Sequence, residues 1–308
     1  MRRSYFRLLE GVLFSLPLLF ASCGNGDNAL EEIINGGGSG GSTPTVEEII
    51  KYGFKVTDLT GVDRTEAVTS LKMSNEDGTL VAEAEVSGGK ITITNTKLTE
   101  AGITAAADFW FEAEIGGQPY IAKVNIDPTT LSPESDKTLA MATLGDVILS
   151  DGKFAARTST GTNVAMIAYL GSSTGVAGYT HGLALALTDK GTMINWTDAT
   201  GTGVSGAAAH TPAAPTPMTS SWMLPSKDQW DKMIDACKNV LGTQNNYKDL
   251  RDSFSDITGA SNLSSAFYWS STEYEDDLGD AWMLGFSSGI WKHFSKGEDN
   301  YVRACLAF

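Results

Sequence analysis

Past residue 45, apolar and polar positions alternate in short runs. Leu80-Val81-Ala82-Glu83-Ala84-Glu85-Val86 leads into Ser87-Gly88-Gly89-Lys90 and then Ile91-Thr92-Ile93-Thr94, the pattern of two strands joined by a tight turn. Phe109 to Ile115, the Gly116-Gly117 pair and Tyr120 to Ile126 make a second hairpin, and Asn75-Glu76-Asp77-Gly78 marks a further turn. In this stretch only Val46 to Tyr52 carries apolar residues at helical spacing. Strands this short and this regularly punctuated predict a small antiparallel β-sandwich over residues 46–133.

The pattern changes at Asp127. Residues 127–137 (DPTTLSPESDK) are rich in Pro, Ser and Thr and read as a boundary. A mixed α+β domain is expected over residues 141–308, opening with Gly145-Asp146-Val147-Ile148-Leu149 and a Ser150-Asp151-Gly152 turn. Its clearest helix lies within Trp222 to Leu241. Ser226 is a good N-cap and Gln229 completes a capping box. Trp230, Met233, Ile234, Cys237 and Leu241 then share one face, with Gly242 as the stop. Gly201 to Ser221 is small, polar and punctuated by proline, which reads as a functional loop or a disordered insertion, disorder being the default. Tyr301 to Phe308 alternates as a closing strand.

The first residues give an address. Arg2, Arg3 and Arg7 precede Gly11 to Ala21, an apolar run of signal-peptide length that falls short of the roughly 20 residues of a membrane-spanning helix. At its end, Leu19-Phe20-Ala21-Ser22-Cys23 resembles the lipobox of bacterial lipoproteins, with Phe20 where that motif more often has Leu. The resemblance implies that residues 1–22 are removed and that Cys23 is acylated. The alternative is an ordinary secretory signal cut near Ala21 beside an incidental cysteine; both export the chain. Residues 23–45 are Gly/Ser-rich and read as a flexible tether. Asp27, Glu31 and Glu32 loosely fit the acidic signal that accompanies surface display in some Gram-negative lipoproteins, so the outer membrane and cell surface are the expected location.

Charge narrows the partners. The formal net charge is −15, and removing a segment with three Arg and one Glu makes it more negative. Such a chain repels nucleic acid and anionic head groups, so no nucleic-acid partner is expected and membrane attachment falls to the lipid on Cys23. Setting Cys23 aside leaves Cys237 and Cys305, an even pair in a compartment where disulfides persist; a bridge and two buried free thiols both satisfy the count. No Cys/His spacing suggests a metal, and His181, His210 and His293 are far apart in sequence.

Three segments carry a family likeness: Leu224-Pro225-Ser226 leading into a helix with Trp230, then Tyr268-Trp269-Ser270-Ser271-Thr272-Glu273, then Val302-Arg303-Ala304-Cys305-Leu306-Ala307-Phe308. In that order they resemble the C-type-lectin-like fold. More closely, they resemble its bacterial branch, which includes formylglycine-generating-enzyme-like domains, the Fibrobacter major paralogous domain and the C-terminal domain of Legionella collagen-like adhesins. The likeness covers roughly residues 141–308, with Ile167 to Leu170 and Tyr179 to Leu187 fitting the front half. Residues 46–133 look vaguely like fimbrillin-type or immunoglobulin-like modules, without a specific motif. The resemblance implies a Cys237–Cys305 bridge clamping the helix to the closing strand.

It does not imply an activity. The reactive cysteine pair of the formylglycine-generating enzymes is not reproduced, and the Glu-Pro-Asn, Gln-Pro-Asp and Trp-Asn-Asp tripeptides of calcium-dependent lectins do not occur. Two G-x-S-x-G matches, at Gly171 and Gly285, lack the strand-to-helix setting of a nucleophile elbow. No catalytic residue, and no enzyme, is expected. Glu273, Glu275, Asp276, Asp277 and Asp280 form an acidic loop whose hard oxygens suit Ca²⁺. Their spacing matches no established motif, and a solvated acidic turn is the commoner meaning, so the metal stays open and no other cofactor is expected. Trp291 and His293 alternate with Ile290, Lys292 and Phe294, and an exposed Trp stacks on sugar rings.

Glu273, Asp276, Asp277, Asp280, Trp291 and His293 are therefore the candidate ligand-binding set. The function expected is that of a lipid-anchored surface binding protein, an adhesin or a fimbrial tip or accessory subunit, recognising a glycan or a surface protein. The alternative is a purely structural subunit of a cell-surface assembly with no glycan ligand. If Cys23 carries the lipid, Cys23→Ser releases the protein from membranes or leaves its signal uncleaved. Membrane fractionation with intact-mass analysis checks this, and unchanged fractionation with normal processing would refute it.

Overall fold

Alternation becomes two sheets facing each other. The computed structural model describes residues 49–201, 206–238, 240–244 and 246–308; Cys23, the signal segment and the tether lie outside them. The first lobe holds strands β1 (Lys51–Asp58), β2 (Val68–Ser74), β3 (Leu80–Glu83), β4 (Glu85–Ser87) and β5 (Lys90–Thr94). A short helix α1 (Asn95–Glu100) follows, then β6 (Ala107–Ile115), β7 (Gln118–Ile126) and β8 (Lys137–Met141). They order as β4-β5-β1-β8 and β3-β2-β6-β7. Phe54, Val56, Ile91, Ile93, Leu139 and Met141 of one sheet meet Leu71, Met73, Phe109 and Phe111 of the other in a single buried cluster. Every one of these pairs of positions keeps the two-residue period of a half-buried strand.

Four details differ from the sequence pattern. The chain is extended from Lys51, not helical through Tyr52, because Phe54 and Val56 continue a strand period that pairs with β5 and β8. The run from Leu80 to Val86 is not one strand: it breaks at Ala84, so β3 pairs with β2 while β4 pairs with β5 in the opposite sheet. The end of the boundary stretch closes the first lobe, since β8 lies parallel to β1 with Val56 opposite Leu139, which makes that sheet mixed. Helix α1 was not legible; the Thr94 side chain caps it and Leu98 anchors it in the core.

The second lobe adds β9 (Val147–Leu149), β10 (Phe154–Ala155), β11 (Asn163–Leu170), β12 (Gly182–Ala186), α2 (Trp196–Thr200), α3 (Lys227–Cys237) and α4 (Tyr247–Arg251). Strands β13 (Phe267–Glu273), β14 (Asp280–Gly285), β15 (Ile290–Ser295) and β16 (Cys305–Ala307) complete it. Strands β10-β9-β11-β12-β16 form one sheet and β13-β14-β15 another. The five-stranded sheet is buried on both faces, which is why its strands read as continuous apolar runs. One face sends Ile148, Ile167, Ala184 and Leu306 into one core, and the other sends Val147, Met166, Leu185 and Ala307 toward α3. Strand outweighs helix overall, as a β-rich α+β class requires.

Helix α3 begins with the expected capping box: Ser226 Oγ accepts from Gln229 N at 3.1 Å, and Gln229 Oε1 accepts from Ser226 N at 2.8 Å. It buries Trp230, Met233 and Cys237 but ends at Cys237, before Leu241 and Gly242. The segment expected to be disordered is packed over residues 206–221. Ser220 exchanges hydrogen bonds with Ala307, and the Trp222 indole N–H donates to Pro212 O at 2.8 Å. Residues 202–205 lie outside the described set.

Cys237 and Cys305 are both free and buried, so the implied bridge is not made. Cys237 sits over β11, its thiol donating to Ala168 O at 3.2 Å. Cys305 lies in β16, with β12 between. The strand beneath Cys237 and the strand that carries Cys305 therefore lie two spacings apart, roughly 10 Å. Burial pushes both thiols well above their ordinary range.

The lobes share a joint. Trp110 on β6 turns out of its own lobe and stacks on His181, ring centroids 4.2 Å apart, beside Phe154 and Phe308. Glu112 lies 2.9 Å from His181 Nδ1. Ile121 and Ala142 exchange backbone hydrogen bonds at 2.8 and 2.7 Å.

A buried charge fastens the second lobe. Arg303 has no exposed side-chain surface and donates Nε to Asp189 Oδ1 at 2.8 Å, Nη1 to Ala186 O at 3.0 Å and Nη2 to Ser261 O at 3.1 Å. The Tyr268 hydroxyl donates to the second oxygen of Asp189 at 2.9 Å, and burial raises that phenol above its usual range. Removing one member of a buried pair strands the other, so Arg303→Met should cost about 3–5 kcal/mol. Denaturant unfolding followed by circular dichroism measures this; a loss under about 1 kcal/mol would show the pair to be dispensable.

Candidate functional site

The hairpin turn of residues 286–289 fixes the register of the outer sheet and thereby its two faces. Trp282 pairs with His293 and Leu284 with Trp291, so these four side chains share one face, while Met283, Lys292 and Phe294 share the other. The second face, through Ala281, Met283 and Trp269, packs into the core beneath. The N-terminal turns of α3 cover only part of the first. Leu284 is buried by them, Trp291 is half-buried against their core, and Trp282 and His293 lie beyond at the solvent side.

What emerges is an aromatic platform bordered by carboxylates. Tyr274 and His293 stack in parallel with centroids 3.9 Å apart, and Trp282 stands edge-on to Tyr274 at 5.2 Å. Each ring is held by an acid. Asp280 Oδ2 lies 2.8 Å from His293 Nδ1, Glu275 accepts the Trp282 indole N–H at 3.3 Å, and Asp276 accepts the Tyr274 hydroxyl at 3.0 Å. Trp291 donates its indole N–H to Asp231 of α3 at 2.8 Å. The Lys227 ammonium lies 4.9 Å from the Trp291 ring centroid and 5.9 Å from that of Trp282.

The structure thus brings Asp276, Asp280, Trp291 and His293 to one face. It separates the other two expected residues. Glu273 turns toward Lys296, 3.2 Å away, whose ammonium lies over Trp196. Asp277 folds back on its own turn to accept from Gly279 N at 2.8 Å. Among the described residues no three acidic, histidine or cysteine side chains gather as a metal site, because the loop's carboxylates point to different partners.

Tyr274, Trp282, Lys227 and Asp231 escaped sequence reasoning. A signal for Trp282 existed: once Gly285 to Gly289 is read as a hairpin turn, Trp282 falls opposite His293. Lys227 and Asp231 come from a helix about fifty residues earlier, and nothing local links them to the sheet.

The other histidines belong to the fold. His181 forms the joint, stacked on Trp110. His210 lies edge-on to Trp222 at 4.9 Å, and burial, with the charges of Lys190 and Arg303, lowers its pKa to about 4, keeping it neutral. A cavity of about 790 Å³ in the first lobe includes Lys51, Lys55, Arg64 and Lys90 in its wall. Its lining is mixed in charge, and Lys51 and Arg64 are already paired with Glu85 and Asp58.

The two tryptophans of the outer sheet should separate cleanly by mutation. Trp269 is fully buried, so Trp269→Ala should cost ~3–5 kcal/mol, whereas half-buried Trp282→Ala should cost about 1–2 kcal/mol. Equal losses in parallel urea titrations would make Trp282 a core residue and remove it from the site. No protein-family model matches this chain, and no curated protein matches it.

Proposed function

We propose that this chain is a lipid-anchored binding protein of the bacterial cell surface, built as a β-sandwich spacer followed by a C-type-lectin-like head. The observation that carries the proposal is the platform of Tyr274, Trp282, Trp291 and His293, bordered by Asp231, Glu275 and Asp280. Flat indole faces suit the apolar faces of pyranose rings, and fixed carboxylates accept hydroxyl protons. The lipobox-like junction at Cys23 and the Gly/Ser-rich tether support display on a membrane, as an adhesin or fimbrial accessory subunit. Strand β15 stands at the edge of its sheet, so the platform sits where a ligand has access.

A glycan array probed with the exported protein tests this reading. Binding of at least one glycan class is expected, weakened about tenfold or more by Trp282→Ala with only a modest change in melting temperature; tenfold corresponds to about 1.4 kcal/mol. Absence of any glycan signal, together with retention of the protein in a purified surface assembly, would favour the purely structural subunit.

A further inference from the structure

The ligand face already holds an ammonium group, the chain's own. Lys227 Nζ lies over the rings of Trp291 and Trp282 and 3.2 Å from Asp231 Oδ2. Asp231 cannot swing away easily, because its other oxygen receives the Trp291 indole N–H at 2.8 Å. Two aromatic faces and a fixed carboxylate together make a cation seat. The i,i+4 pairing with Asp231 is the lysine's one contribution to the helix. Lys227 is the first residue of α3, the end of a helix where a positive charge is disfavoured. What holds it is the seat.

The surrounding charge points the same way. Asp280, Glu275 and Asp276 border the platform through His293, Trp282 and Tyr274, whereas Lys227 is the lysine that reaches it and is paired with Asp231. Lys292 lies on the opposite face of the sheet, over Phe267. An anionic ligand would meet the carboxylates of Asp231, Glu275 and Asp280, while a cationic one would meet acceptors.

Resting on the reading of this platform as a glycan site, we propose that it recognises an amine-bearing saccharide, whose ammonium displaces that of Lys227 between Trp282, Trp291 and Asp231. The displacement is easy on physical grounds. Both partners of the Lys227–Asp231 pair are half-exposed, so solvent screens the pair, and the flexible lysine stem gives its ammonium a route into water. The pyranose ring then stacks on the vacated indole, and neighbouring carboxylates accept its hydroxyls. The chain's own lysine is a competitor for its ligand site.

The competitor can be removed. Isothermal titration of the full mature lipoprotein, in micelles of a sugar-free polyoxyethylene detergent at about pH 6, compares three tetrasaccharides: fully deacetylated chitotetraose, its N-acetylated form and tetragalacturonate. The deacetylated form is expected to bind at least tenfold more tightly than the acetylated one, and the anionic one not to bind. Lys227→Gln should tighten the deacetylated ligand several-fold, and Asp231→Asn should abolish the preference for the amine; melting curves of both variants confirm folding. Equal or tighter binding of the acetylated form would overturn the amine assignment while leaving a glycan site in place. Unchanged or weaker binding by folded Lys227→Gln would overturn the displacement. Tetralysine binding as tightly as the amino sugar would overturn the assignment to a saccharide. A chain that binds no sugar here or on the array loses the underlying reading too.

Discussion

The second lobe depends on one buried cation. Arg303 enters on the closing segment and reaches Asp189 after β12, the carbonyl of Ala186 within β12 and the carbonyl of Ser261 beyond α4. A guanidinium removed from water must satisfy its donors in fixed directions, so each acceptor is held where the fork requires it. Tyr268, bonded to the same Asp189, extends the constraint to β13 and hence to the outer sheet. The arginine of the terminal motif and the tyrosine at the start of Tyr268 to Glu273 therefore meet on one carboxylate, although they read in sequence as separate signatures.

From β13 the register passes outward. Tyr268 is opposite Leu284, and Leu284 is opposite Trp291, so the buried network and the exposed platform share one face of one sheet. Helix α3 closes the inner part of that face with Trp230, which stands edge-on to both Tyr268 and Phe286. Its first turn stops short of the outer part, where only the Lys227 ammonium lies over the indoles and Asp231 accepts from Trp291. The site is thus the remainder of a packing surface: rings that would be core under a longer helix are left at its edge.

The joint between lobes follows a different logic. Trp110 belongs to a strand whose neighbours Phe109 and Phe111 face their own core, so alternation forces it outward. Outward here means into the second lobe, against His181 and Phe308. Phe308 is therefore also part of the interface, and β8 returns to β1 before the second lobe begins. Two lobes joined through a shared core have less freedom than two beads on a linker.

The sequence by itself determined the strands with clean two-residue alternation, the turns at Asn75 to Gly78 and Gly116-Gly117, and the capped start of α3, because each rests on neighbours within a few residues. It also placed Trp291 and His293 beside the acidic loop. The tertiary structure alone decided the rest. Whether the chain from Lys51 coils or extends depends on partners about forty and eighty residues away, and the break at Ala84 that divides one run between two sheets is likewise set by its partners. The cysteine pair satisfied the count, yet one member lies over β11 and the other in β16, two strands away, and both are free. The platform's other half came from α3, fifty residues upstream, and the destinations of Glu273 and Asp277 were set by Lys296 and a local turn. Spacing along a chain reports local geometry; which side chains meet across a sheet is decided by register and by what packs above it.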